Sequence, residues 1–148
     1  TGTFNVRIED VEGETIVDTN YFSSIPLTNT TKVEVNSGTV LLDTDGNGEF
    51  EETIFSDNTD LNYLINFLKE KIQKLEIKNQ LKKNLLKKIE NLEIKIAKKQ
   101  KNDKSLEGLK TKIQNIINKV LKKESKGQIG DTDAQGIINL LEQIEIRL

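Results

Sequence analysis

An α+β fold is the expectation for this chain: a small antiparallel β-sheet, read as a partial sandwich, followed by an antiparallel bundle of four (or three) α-helices. Two observations predict it. Apolar and polar residues alternate in short runs up to about residue 56, whereas from about residue 60 the apolar residues recur at intervals of three and four. Charge changes at the same point. Residues 1–60 hold 2 basic and 13 acidic side chains, a net of −11, and residues 61–148 hold 20 and 11, a net of +9. The predicted division is an acidic β module over 1–58 and a basic helical module over 59–148.

Phe4 to Ile8 alternates strictly and reads as a half-buried strand, with Glu12 to Glu14 as the following turn. Thr15 to Phe22 is a second strand, rich in β-branched and aromatic residues, and Ile25-Pro26-Leu27 ends it because Pro26 has no N–H for a central ladder. Lys32 to Asn36 alternates again, Ser37 and Gly38 turn, and Thr39 to Leu42 follows as a short strand. Phe50 to Phe55 is the last. Five strands fall short of the roughly seven in common sandwiches. The sheet is therefore expected to look incomplete: either it packs on the helices, or it is completed by further chain or by a neighbouring subunit at its edge.

Ser56 to Asp60 is a polar linker whose end, Thr59 or Asp60, supplies a helix N-cap. Leu61, Leu64, Ile65, Leu68, Ile72 and Leu75 form the first apolar stripe. Asn79 is a candidate cap for a second, with Leu81, Leu85, Leu86, Ile89, Leu92 and Ile96. No Pro or Gly separates the two, so one long helix from about 60 to 98 competes with this reading. Lys98 to Lys104 is a charged turn, and Asp103 or Ser105 starts a third helix carrying Leu106, Leu109, Ile113, Ile116, Ile117, Val120 and Leu121. Lys126 to Gly130 breaks it. Asp131 or Thr132 caps a fourth, with Thr132 and Gln135 at capping-box spacing and Ala134, Ile137, Ile138, Leu141 and Ile144 on its apolar face. Short connections make antiparallel neighbours.

The chemistry concentrates in Leu42 to Glu52. Asp43, Asp45 and Asn47 alternate, and Gly46 and Gly48 permit the tight turn that would converge their oxygens on one hard cation. This resembles the first half of an EF-hand loop. The twelfth position holds Ile54 instead of the bidentate Glu, and a strand takes the place of the incoming helix. The expectation is a structural Ca²⁺ in a β-turn, ligated by Asp43, Asp45 and Asn47 and closed by Glu49, Glu51 or Glu52, with Glu49 and Glu52 the favoured pair. The competing reading is an acidic hairpin turn that binds nothing tightly.

Composition excludes several classes. The chain has no Cys, His, Met or Trp, which removes disulfides, thiolate nucleophiles, the usual neutral-pH general base and the commonest zinc ligand. Ser23, Ser24 and Ser105 have no imidazole to activate them, and the adjacent Glu51 and Glu52 point to opposite faces of a strand. A non-enzyme is expected. No run approaches the roughly 20 apolar residues of a membrane span. Lys82, Lys83, Lys87 and Lys88 lie at spacings that can place them on one side of a helix, a candidate patch for an acidic cell-wall polymer, polysaccharide or anionic lipid, while the interspersed Glu70, Glu76, Glu90 and Glu93 favour a plain solvated face. The absence of Arg and aromatics beside them argues against nucleic acid. Tyr21, Phe22, Tyr63 and Phe67 are the candidates for stacking on a carbohydrate, with Phe22 and Phe67 better suited to the core.

Tyr63 to Leu68, Leu85 to Ile89, Ile116 to Val120, Gly127 to Ile129 and Ala134 to Ile138 together resemble the FIMAH-type helical module, over roughly residues 61–146. Gly2 to Ile8, Ile25 to Thr28 and Leu42 to Gly48 are similar to the small β modules that end many secreted bacterial and archaeal hydrolases. These resemblances imply a non-catalytic accessory segment for binding, attachment or spacing, secreted or at a cell surface and C-terminal to a larger parent polypeptide. The chain begins Thr1-Gly2 without an initiating Met, as an excerpt of that kind would. A self-assembling subunit that exchanges a strand through its incomplete sheet is the other expectation.

Overall fold

In the computed structural model, which describes residues 2–36, 38–99 and 106–148, the period-two half forms five strands and the helical-period half four helices. The chain divides into two units, residues 1–59 and 60–148. Thr1, the Ser37 half of the predicted turn, most of the charged turn Lys98 to Lys104, and the candidate caps Asp103 and Ser105 lie outside the described residues.

In the first unit β1 (Gly2–Glu12) and β2 (Thr15–Leu27) form an antiparallel hairpin. β3 (Lys32–Asn36), β4 (Thr39–Asp43) and β5 (Glu52–Phe55) form a second antiparallel sheet with β4 central. Phe22 and Ile25 from the hairpin and Val40 and Leu42 from the second sheet make one buried cluster, packed by Phe4, Val6, Ile8 and Ile54. The two sheets therefore share a core. Both hairpin strands run beyond their predicted limits, and the part of the hairpin next to its turn is solvated: Val11, Ile16 and Val17 are each about half exposed. Pro26 lies inside β2 opposite Thr3, which an edge strand tolerates. β5 is shorter than expected because Phe50 stays in the preceding loop, 42% exposed.

Phe22 and Ile25 are three apart, a spacing that in a regular strand would place them on opposite faces. A β-bulge reconciles them. Phe4 pairs with Ile25 and Val6 with Phe22, so Asn5 alone faces Ser23 and Ser24. Ser24 takes the left-handed conformation (φ 57°), and its N–H donates to Asn5 Oδ1 at 2.8 Å. Ser23 Oγ and the Asp57 N–H then tie β2 to the turn after β5, through Asp57 Oδ2 and Tyr21 O respectively.

The second unit contains α1 (Leu61–Lys74), α2 (Asn79–Lys99), α3 (Leu106–Glu124) and α4 (Asp131–Ile146). Each packs on its chain neighbours, and α1 also packs on α4, closing a four-helix arrangement. The apolar stripes meet inside: Leu64, Ile65, Leu68, Ile72, Ile89, Ile113, Ile137 and Leu141 are all essentially inaccessible. Asp60 caps α1, its Oδ1 accepting from the N–H groups of Asn62 (2.9 Å) and Tyr63 (3.2 Å).

The single long helix is excluded. Leu75 adopts an extended backbone (ψ 139°) and buries its side chain to 6% exposure, so tertiary packing ends α1 without Gly or Pro. Lys82 Nζ donates to Gln73 O at 2.8 Å, neutralising part of the exposed helix C-terminus. α3 closes as the Gly127 break suggests. Gly127 (φ 63°) donates to Glu124 O and Gln128 to Lys123 O, the Schellman pattern. The Thr132–Gln135 capping box does not form, because the N-cap is Gly130, two residues earlier, and it makes no side-chain cap bond. Asp131 and Asp133 in the first turn complement the helix dipole instead. No helix among the described residues is long and apolar enough to cross a membrane.

The bulge makes a specific claim on stability. Ser24→Gly, which relieves a left-handed non-glycine residue, should stabilise the β unit by about 0.5–1 kcal/mol. Asn5→Ala, which strands the Ser24 N–H, should destabilise it by about 1 kcal/mol. Urea denaturation of the two variants measures both.

Candidate metal site

The three-stranded sheet aligns one row of charged residues across its end. Lys32 of β3 is the antiparallel partner of Asp43 of β4, and Glu51 sits immediately before β5, its N–H donating to Leu42 O at 3.0 Å. Alternation sends Glu51 to the same side of the sheet as Asp43, whereas Glu52, paired with Leu42, faces the other way.

Asp43 has no exposed surface, and the loop after it is wound around its carboxylate. Gly46 N–H donates to Oδ1 at 2.6 Å and Gly48 N–H to Oδ2 at 2.9 Å. Lys32 Nζ lies 3.5 Å from Oδ2 and donates to Gly46 O at 3.0 Å. Gly46 and Gly48 both have positive φ (80° and 97°), which an L side chain resists. Gly46 is further constrained: a Cβ there would lie 3.0 Å from Thr30 O. The turn Thr28 to Thr31, cross-linked by its own hydroxyl bonds, presses against this point, and Thr30 Oγ1 donates to Thr44 O at 3.2 Å.

The remaining groups are arranged outward from Asp43. Asp45 Oδ1 accepts from Asn47 N–H at 3.0 Å and its Oδ2 from Asn47 Nδ2 at 3.1 Å, while Asn47 Oδ1 accepts from Glu49 N–H at 2.7 Å. Glu51 Oε2 accepts from Thr44 N–H (2.7 Å) and Thr44 Oγ1 (3.1 Å). Glu51 is 7% exposed, and its other oxygen, Oε1, is buried with no hydrogen-bond partner. Oxygens of Asp43, Asp45 and Glu51 lie within 4.8 Å of one another, the one such acidic cluster among the described residues.

Of the five residues expected as ligands, the structure thus groups Asp43 and Asp45 and keeps Asn47 in contact with Asp45. Glu49 and Glu52 are not among these clustered carboxylates, Glu52 pointing to the opposite face, and Glu51 joins Asp43 and Asp45 instead. Strand parity relative to Asp43 is the signal that selects it. The donor set is all oxygen, which suits a hard cation. A carboxylate has about four lone-pair sites, so Asp43 can accept two N–H bonds and still ligate.

Elsewhere the candidates disperse. Ser23 Oγ is held by Asp57. Phe22 is core, Phe67 is half-buried, and Tyr21 and Tyr63 are about half exposed, with Arg7 5.6 Å over the Tyr21 ring. Lys82 is engaged at the end of α1. No family model, curated protein or solved structure matches the chain.

Burial works against ionisation of Asp43, but the N–H groups of Gly48 and Gly46, and then Lys32, outweigh it and hold its pKa below the ordinary aspartate value. A carboxylate lowered on folding stabilises fully above its unfolded-state pKa, and this contribution is lost as pH falls through the folded-state value. Stability of the β unit should therefore decline below the ordinary Asp range. Asp43→Asn should flatten that acid limb in chemical denaturation across pH. Gly46→Ala should destabilise the loop more than Gly48→Ala, whose added methyl meets nothing within 4 Å.

Proposed function

We propose that the chain is a non-catalytic accessory segment whose β unit is locked by a structural calcium ion held by Asp43, Asp45, Asn47 and Glu51. One observation carries this reading: a buried Glu51 oxygen without a partner beside two further carboxylates. Leaving such an atom unsatisfied costs about 1–3 kcal/mol, and a cation between the three carboxylates removes that cost together with their mutual repulsion. Calcium suits the site better than magnesium, because it accepts irregular oxygen shells of six to eight ligands while Mg²⁺ demands a near-ideal octahedron. The balance of the shell would come from backbone carbonyls and water.

Binding to the folded loop alone stabilises the fold by mass action. Two of the four proposed ligands, Asp45 and Asn47, are exposed, and a partly solvated shell is expected to bind weakly, in the range of calcium-rich extracellular modules. That affinity range supports a secreted or cell-surface setting for an attachment or spacing role. The lack of His and Cys supports a non-catalytic one. Assembly through the hairpin is the weaker alternative. Its projecting tip has an open edge and exposed Val11, Ile16 and Val17, but Glu9, Asp10, Glu12, Glu14 and Asp18 surround them with the charges that discourage edge pairing.

Thermal unfolding with calcium tests the proposal. At a tenfold excess over Kd, calcium should add about 1.4 kcal/mol to the β unit. Magnesium at the same concentration should add far less. Glu51→Gln should abolish the calcium response, and Glu52→Gln should leave it intact. An equal response in the wild type and Glu51→Gln would refute the ligand assignment.

A further inference from the structure

The α1–α2 and α2–α3 contacts are built on opposite electrostatics. Between α1 and α2, Lys69 pairs with Glu93 at 2.6 Å. Between α2 and α3, lysine faces lysine: Lys88 contacts Lys119, and Lys95 contacts Lys112. The pairing follows the antiparallel register, since both partners in each helix are seven residues apart. That spacing puts the two pairs on one face, roughly 10.5 Å apart along the helices.

Two adjoining cavities of about 270 and 380 Å³ open at this seam and share Lys88, Asn91 and Lys119. Lys112 and Asn115 extend the lining at one end, and Lys87 and Lys123 at the other. No carboxylate lines either cavity among the described residues. Juxtaposed ammonium groups with no counter-ion are an unfavourable arrangement for a helix interface, and an anion between them would relieve it.

We infer that the α2–α3 groove is a binding site for a linear phosphate polymer, gripped by Lys88, Lys112 and Lys119, which line it. Lysine is a point-charge ligand for phosphate, and Asn91 and Asn115, between the pairs, offer amide donors and acceptors to the polymer's linking atoms. The groove is concave, which admits a chain better than a bilayer surface. It has neither Arg nor an aromatic ring in its lining, so it lacks the stacking platform of single-stranded nucleic-acid sites. The close Lys119 ammonium, then burial, lower the Lys88 pKa; Lys112, then burial, do the same at Lys95, with Lys98 adding a smaller push. This inference rests on the helical unit and does not depend on the calcium reading.

Isothermal titration of the full chain with inorganic polyphosphate at low salt tests it. Saturable binding that weakens steeply with salt is expected, and Lys88→Gln with Lys119→Gln should reduce affinity about tenfold. The same double variant should melt no lower than wild type, because it removes a repulsion. Control changes Lys78→Gln and Lys126→Gln, outside the groove, should alter affinity less than about twofold. On the wild type, polyphosphate should shift backbone amide resonances of α2 and α3 more than those of α1 and α4, a readout that needs no variant. Absence of binding, equal losses from groove and control lysines, diffuse amide shifts, or capture of oligo-dT or anionic phosphatidylglycerol vesicles without polyphosphate would each overturn the inference.

Discussion

A carboxylate with no exposed surface has to be satisfied from within, and Asp43 imposes that requirement on the β unit. Its two oxygens draw in the N–H groups of Gly46 and Gly48, and this fixes the course of the loop. The loop's return brings Glu51 beside it, and the start of β5 follows from there. Lys32 supplies a cation near the cluster from β3, but it is largely solvated and reaches Asp43 only at 3.5 Å. Three carboxylates against one exposed ammonium leave a surplus of negative charge at the end of the sheet. A divalent ion bound as proposed would balance that surplus.

Much of the fold was legible because burial is periodic. Most of each apolar stripe became helix interior, with Leu106 and Leu121 at the ends of the third left exposed, and the alternating runs became strands in the expected order. What was hidden depended on partners distant in sequence. The stop after Lys74 comes from burial of Leu75, which no breaker residue announces. The bulge at Ser24 shows only once Asn5 lies opposite it. Gly130 displaced the Thr132 capping box because a glycine can take the N-cap backbone without offering a side-chain bond.

The candidate site divides along the same line. The Asp43-Asp45-Asn47 half is local in sequence, and its turn chemistry could be read directly. The closing Glu is chosen by the pairing of β4 with β5, which reverses the preference between Glu51 and Glu52. Lysines behave alike. Counting them along α2 suggested a patch including Lys82 and Lys83, yet Lys82 serves the end of α1. The dense cationic surface arises only when α3 brings Lys112 and Lys119 across from Lys95 and Lys88.

The most direct measurement is a calcium titration followed by the side-chain carboxyl ¹³C resonances of Asp and Glu. The account predicts saturable shifts at Asp43, Asp45 and Glu51 with one common midpoint, and no comparable shift at Glu49 or Glu52. Shifts confined to Glu49 and Glu52, or small non-saturating drifts shared by all exposed carboxylates, would contradict it.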